Sequence, residues 1–194
     1  PTVKVSVTAL GQVRIFSPLT EEELAVLAEN CSWSRHEAAS EVLAQNAPCD
    51  EVYFICSGRV SAKTFSDAGK EITFAELVQG DVFGELSALD GQPRSSFVVT
   101  LEESLLAALP AHIFNEFLDS HPKVMRALMV ELTGRLRRAD EKVFEFSTLN
   151  TSNRIHAELL RLASMHPAQN GAVEITSPPT HADLASRTNT TRES

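Results

Sequence analysis

The stretch GDVFGELSALDGQPRSS, residues 80–96, collects the side chains best suited to hold a small anion. Gly84 lets the backbone approach a ligand closely. Leu86 to Leu89, with Ser87 between them, can form a single helical turn, and amides at such a start attract negative charge. Arg94 can add a charge-assisted contact, with a hydroxyl from Ser95 or Ser96. Glu85 can accept from a sugar hydroxyl. A cyclic nucleotide asks for this set: a singly charged phosphate, a ribose 2′-hydroxyl and a base resting on apolar surface. Taken one at a time the residues say little. A Gly-Glu pair is usually a turn, and an arginine after proline is usually a solvated loop charge.

The elements around the stretch give it weight. Between residues 33 and 109 short β-rich runs (Val42–Leu43, Val52–Cys56, Val60–Phe65, Ile72–Leu77, Phe97–Leu101 and Leu105–Leu109) alternate with turn residues. That spacing predicts a sandwich or small barrel. Ahead of it, Thr20 and Glu23 form a capping box for a short helix carrying Leu24, Leu27 and Ala28. A helix over Pro110–Leu118 closes the region.

A long helix follows, with Ser120 as its N-cap and Pro122 in its first turn. Met125, Met129, Leu132, Leu136, Ala139, Val143 and Phe146 recur at alternating intervals of four and three, which makes a heptad seam. Such a stripe could lie on its own domain. Its narrowness and its charged flanks (Arg135, Arg137, Arg138, Asp140, Glu141 and Lys142) favour two helices from two chains. Thr151 or Ser152 caps the next helix, which carries Ile155, Leu159, Leu162 and Ala163. Asn170-Gly171 ahead of Val173 and Ile175 predicts a short hairpin. Two capping boxes then stand ten residues apart, Thr180 with Asp183 and Thr190 with Glu193, and Asn189 suits the tight turn between them. This is helix, turn and the start of a second helix. The sequence ends at Ser194, about one turn into that helix, so this stretch is expected to bind DNA poorly by itself.

Composition sets outer bounds. The net charge of -9 is unevenly placed: residues 1–122 hold 7 Lys and Arg against 18 Asp and Glu, and residues 123–194 hold 10 against 8. The second part can therefore approach phosphate without strong repulsion. No apolar run approaches the ~20 residues of a membrane span, and no secretory leader is visible, so a cytoplasmic protein without a membrane partner is expected. Pro1 in place of Met points to a processed or trimmed start. Cys31, Cys49 and Cys56 form no paired framework, which fits a reducing compartment and argues against an iron–sulfur cluster. The six histidines are scattered, so neither metal nor haem is expected. No nucleophile–base pair emerges, and an enzyme is not expected.

On the Gly84-Glu85-Leu86 and Arg94-Ser95 pairing, the long-helix residues Arg137 to Val143, and the run from Thr190 to Ser194, the sequence resembles the bacterial CRP/FNR family of transcription regulators. The resemblance implies an α+β fold: a β-roll or jelly-roll cyclic-nucleotide-binding barrel over 1–119, a dimerisation helix over 120–150 and a truncated winged helix-turn-helix over 151–194. It also implies a homodimer whose heads bind double-stranded DNA when cAMP or cGMP binds as allosteric effector, and RNA polymerase as a partner. Gly84, Glu85, Leu86, Ser87, Arg94, Ser95 and Ser96 would hold the nucleotide. Thr190, Thr191, Arg192 and Glu193 would face DNA, the last two reaching base edges or phosphates. Ala139 and Asp140 stand where the catabolite activator protein has a Thr-Ser pair that holds adenine. Ala139 offers no side-chain hydrogen bond; Asp140 can accept from adenine or from guanine. The alternatives are a family member whose effector site is vestigial or takes another ligand, and a nucleotide-binding regulatory module of an enzyme. The two capping boxes count against the module.

Overall fold

The computed structural model describes residues 3–48, 50–67, 69–164, 168–169, 172–173, 175 and 178–190. Helix α1 (Val3–Leu10), a 3-10 turn (Arg14–Phe16) and α2 (Glu21–Glu29) precede eight strands: β1 (Ser32–His36), β2 (Glu41–Leu43), β3 (Glu51–Ser57), β4 (Arg59–Phe65), β5 (Glu71–Val78), β6 (Val82–Phe83), β7 (Phe97–Thr100) and β8 (Ser104–Pro110). A short helix α3 (Glu85–Asp90) lies between β6 and β7. Then come α4 (Ala111–Ser120), α5 (Pro122–Thr148), α6 (Thr151–Ser164), the ribbon β9 (Ala168–Gln169) with β10 (Ala172–Val173), and α7 (His181–Thr188).

The chain divides into two compact units. The first holds residues 1–64 and 74–133, the second 65–73 and 134–194. In the first, two four-stranded antiparallel sheets, ordered β1-β8-β3-β6 and β2-β7-β4-β5, make the expected jelly roll. Strand alternation builds two cores from one strand. On β3, Val52, Phe54 and Cys56 point to the helices and join Phe16, Phe114 and Leu128. Ile55 points the other way and joins Val60, Leu77, Val98 and Leu106 between the sheets. Phe54 packs on Phe16 at 4.8 Å between ring centroids. Cys56 is buried as a small hydrophobe.

Every β run read from the sequence is a strand. β1 and β6 were not anticipated. β1 is largely polar and exists through its pairing with β8, from Ser32 opposite Ala108 to His36 opposite Ser104. The capping box of Thr20 and Glu23 is present on α2. Two expected caps are corrected. Ser120 ends α4, its hydroxyl donating to Glu116 O and Phe117 O at 2.9 and 3.0 Å, and His121 O accepts the first amides of α5. Asn150, rather than Thr151 or Ser152, caps α6, its Oδ1 accepting from Asn153 N at 2.9 Å.

In the second unit, β9 and β10 pair antiparallel, as the hairpin reading expects, with Asn170-Gly171 itself outside the described residues. The Thr180 capping box opens α7, and Asn189 closes it in the left-handed region at φ 53°. Residues 65–73, the tip of the β4–β5 hairpin, also touch α7. Thr73 and Ser186 share a hydrogen bond between buried hydroxyls, and Lys70 Nζ donates to Asn189 Oδ1 at 2.7 Å.

Candidate functional site

The site is built on α3 and the loop behind it. Gly84 is the N-cap of α3 at φ 78°, and a Cβ there would lie 2.7 Å from Arg94 Nη1. Glycine is needed both for the left-handed backbone and for the close approach of the guanidinium. Arg94 is only 4% exposed. Its Nη1 donates to Gly84 O at 2.8 Å and its Nη2 to Glu51 O at 2.6 Å, while Nε has no partner. No carboxylate among the described residues pairs with it. The backbone of Arg94 is pinned as well: Arg94 N donates to Ala47 O at 3.0 Å, and Asn46 N donates to Arg94 O at 2.9 Å.

This is a buried cation held in place by main-chain carbonyls. Such a group is expensive unless an anion joins it. Glu85, one residue into α3, is 2% exposed, and Ser87 is 4% exposed. Asn115 of α4 fixes the helix by donating to Ala88 O at 2.8 Å. The arrangement presents an arginine, the start of a helix and a carboxylate within one short segment, which is chemistry for an anion linked to a hydroxylated group.

The structure adds residues that the sequence reading missed. Tyr53 stacks on Phe83 at 5.1 Å and donates to Glu51 Oε2 at 2.8 Å. Burial, reinforced by that carboxylate, pushes the Tyr53 hydroxyl up to about 12, so it stays protonated. Glu51 thus holds Arg94 through its carbonyl and Tyr53 through its side chain.

A model of the cyclic nucleotide-binding domain matches residues 34–121, which include this whole segment. A CRP-like cAMP-activated global transcriptional regulator of Mycobacterium tuberculosis is 26% identical over 185 residues, covering 95% of this chain and 83% of the relative. The catabolite activator protein of Thermus thermophilus superposes with a TM-score of 0.62 at 27% identity, covering 93% and 82% of the two chains. The chain carries a cyclic nucleotide-binding domain and is similar over most of its length to CRP-like transcriptional regulators. The regulator CLP of Xanthomonas campestris, at 19% identity, shares the fold with a TM-score of 0.76 over 85% of this chain and 83% of its own. The curated relatives are transcriptional regulators, not enzymes. No helix among the described residues is long and apolar enough to cross a membrane.

The remaining expected residues fall as follows. Ser95 is exposed and Ser96 half-buried, while Leu86 and Leu89 present apolar surface to solvent. Ala139 and Asp140 lie exposed on α5, in the second unit. Of the seam, Met129, Leu136 and Val143 are 61%, 62% and 64% exposed, whereas Met125 and Leu132 pack partly on the core of the first unit. The stripe therefore serves its own domain at its start and is open farther along. Thr190 is buried, its hydroxyl 3.1 Å from that of Thr188; Thr191, Arg192 and Glu193 lie outside the described residues.

Proposed function

We propose that this protein is a dimeric DNA-binding transcription regulator that responds to a cyclic nucleotide bound at the α3 segment. One observation carries the reading: Arg94 is buried without a counter-ion, prepositioned by two carbonyls, with Gly84 and Glu85 beside it. A 3′,5′-cyclic phosphate supplies the missing negative charge, Gly84 and the first amides of α3 complete its cradle, and Glu85 accepts from the ribose. Ser87, Ser95 and Ser96 supply hydroxyls, and Leu86 lines the base. cAMP is the first candidate and cGMP the second, and Ala139 and Asp140 are the positions proposed to distinguish them.

The open positions of the seam, Met129, Leu136, Ala139 and Val143, belong to the surface on which a second copy packs, giving a homodimer with 120–150 as its dimerisation helix. Residues 151–194 then act as the helix-turn-helix head, with Thr191, Arg192 and Glu193 toward double-stranded DNA, while Thr190, buried against Thr188, holds the turn rather than facing DNA as expected. RNA polymerase is the downstream partner, and the cytoplasm is where this occurs. Two heads spaced by about one DNA turn, ~34 Å, would grip a palindromic site. The test is a calorimetric titration with cAMP and, separately, cGMP. Saturable binding of either supports the reading, and the tighter one identifies the base. Binding of neither removes the nucleotide and leaves a family member with another effector.

A further inference from the structure

Arg94 is a buried cation with two main-chain partners and an unpartnered Nε. A charge so placed attracts any carboxylate within reach. The residue that supplies one of its carbonyls carries such a group. Glu51 O accepts from Arg94 Nη2 at 2.6 Å, and the Glu51 side chain branches from the carbon next to that carbonyl. Rotation about side-chain bonds, with no backbone movement, can therefore carry the carboxylate toward the guanidinium or away from it.

In the structure the carboxylate is held on Tyr53 instead. Its Oε2 accepts from the Tyr53 hydroxyl at 2.8 Å, and its Oε1 lies 3.5 Å from the Ser32 hydroxyl. Glu51 and Tyr53 are two apart on β3 and so share one face of the strand. Tyr53 is itself fixed. It is paired with Phe83 across β3 and β6, and the two rings stack at 5.1 Å, only 8° from parallel. Burial dominates the Tyr53 hydroxyl and keeps it protonated, hence a donor. The Arg94 charge acts on it in the opposite sense, so the guanidinium lies within electrostatic reach of the pair.

The stack on Phe83 would be equally good with phenylalanine. What the hydroxyl adds is its bond to Glu51. Without it, the carboxylate is expected to exchange a neutral donor for the charged fork of Arg94, the stronger partner, and to compete with a phosphate from within the protein.

We infer that Tyr53 is a positioning residue of the anion site: its hydroxyl holds the Glu51 carboxylate off Arg94 and keeps the guanidinium open to a phosphate. That the phosphate is a nucleotide's rests on the proposed function; the hold on Glu51 does not. Calorimetric titration of the whole protein with cAMP and with cGMP tests the inference, together with a ligand-free crystal structure of Tyr53→Phe. If the released carboxylate rests on Arg94 about nine-tenths of the time, Tyr53→Phe binds about tenfold more weakly than the wild type. Glu51→Gln keeps the carbonyl and removes the charge, and should bind at least as tightly as the wild type. The double variant should regain the affinity of Glu51→Gln, a rescue that lost packing would not give. In the Tyr53→Phe crystal the carboxylate is expected within ~4 Å of the Arg94 guanidinium. Unchanged affinity in Tyr53→Phe, or a loss that Glu51→Gln does not restore, overturns the inference. So does a carboxylate still away from Arg94 in that crystal. This last readout decides the matter even if neither nucleotide binds the wild type, the outcome that would instead remove the nucleotide from the proposed function.

Discussion

Replacing Arg94 with alanine should separate the cost of folding around this residue from its value to a ligand. In the free protein the change leaves Gly84 O and Glu51 O without their donor, roughly 1–3 kcal/mol for each buried acceptor so orphaned. It also removes a buried cation that lacks a counter-ion, which works in the opposite direction. The net change in ligand-free stability is expected to be small, on the order of 1–2 kcal/mol. With a bound cyclic phosphate there is no such offset. Losing one side of a buried, hydrogen-bonded charge pair costs about 2–5 kcal/mol, and ~3 kcal/mol corresponds to about a hundredfold in affinity. A nucleotide concentration a hundred times the wild-type Kd should stabilise the wild type by about 2.7 kcal/mol and the variant by only about 0.4. Calorimetry with cAMP and cGMP, paired with urea unfolding with and without nucleotide, reads both numbers. Arg94→Lys keeps the charge and loses the fork, so it should fall between, about tenfold weaker. Affinity of Arg94→Ala within threefold of the wild type would refute the site.

Gly84→Ala places a methyl 2.7 Å from Arg94 Nη1 in a left-handed backbone. It should weaken nucleotide binding and lower stability by about 1–3 kcal/mol in denaturant unfolding; a silent substitution would mean that the cradle is not tight. Val143→Glu puts a charge on the open seam, and sedimentation at micromolar concentration should then show a monomer where the wild type is dimeric; a dimer in the variant would move the interface elsewhere. Tyr53 is the one tyrosine of the chain, so its ultraviolet titration is read without interference. Its hydroxyl is raised in the folded state, so the associated stability is complete below the ordinary value near 10 and is lost as pH rises through about 12; a midpoint at 10 would mean the Glu51 contact and the burial are absent in solution. Thr180→Ala removes the cap of α7 and should cost ~1 kcal/mol, seen as faster amide exchange at the start of that helix only.

The strands with apolar alternation were legible because each residue that faces a core says so by its type. β1 was not, since Ser32, Ser34, Arg35 and His36 carry no such signal and the strand is imposed by β8. α1 gave no signal either: the valines at 3, 5 and 7 are poor helix formers, and the segment is helical all the same. The misplaced caps at Ser120 and Thr151 were each off by a single position, the usual resolution of cap chemistry when several polar residues adjoin. In the site, Gly84, Glu85 and Arg94 were readable because they sit in one contiguous run. Glu51 and the turn around Asn46 and Ala47 were not, because they contribute backbone atoms, and every residue type has those.

That last point bears on how the site can change over generations. The acceptor at position 51 that steadies Arg94 is a carbonyl, so any amino acid placed there supplies it equally. Point substitution cannot erase this anchor, whereas an inserted or deleted residue in β3 would. A one-residue slip would send Val52, Phe54 and Cys56 into the gap between the sheets and Ile55 toward the helices, wrecking both cores at once. Descendants of this protein are therefore free to rewrite the side chains that choose a ligand while the arginine that demands its negative charge stays where it is.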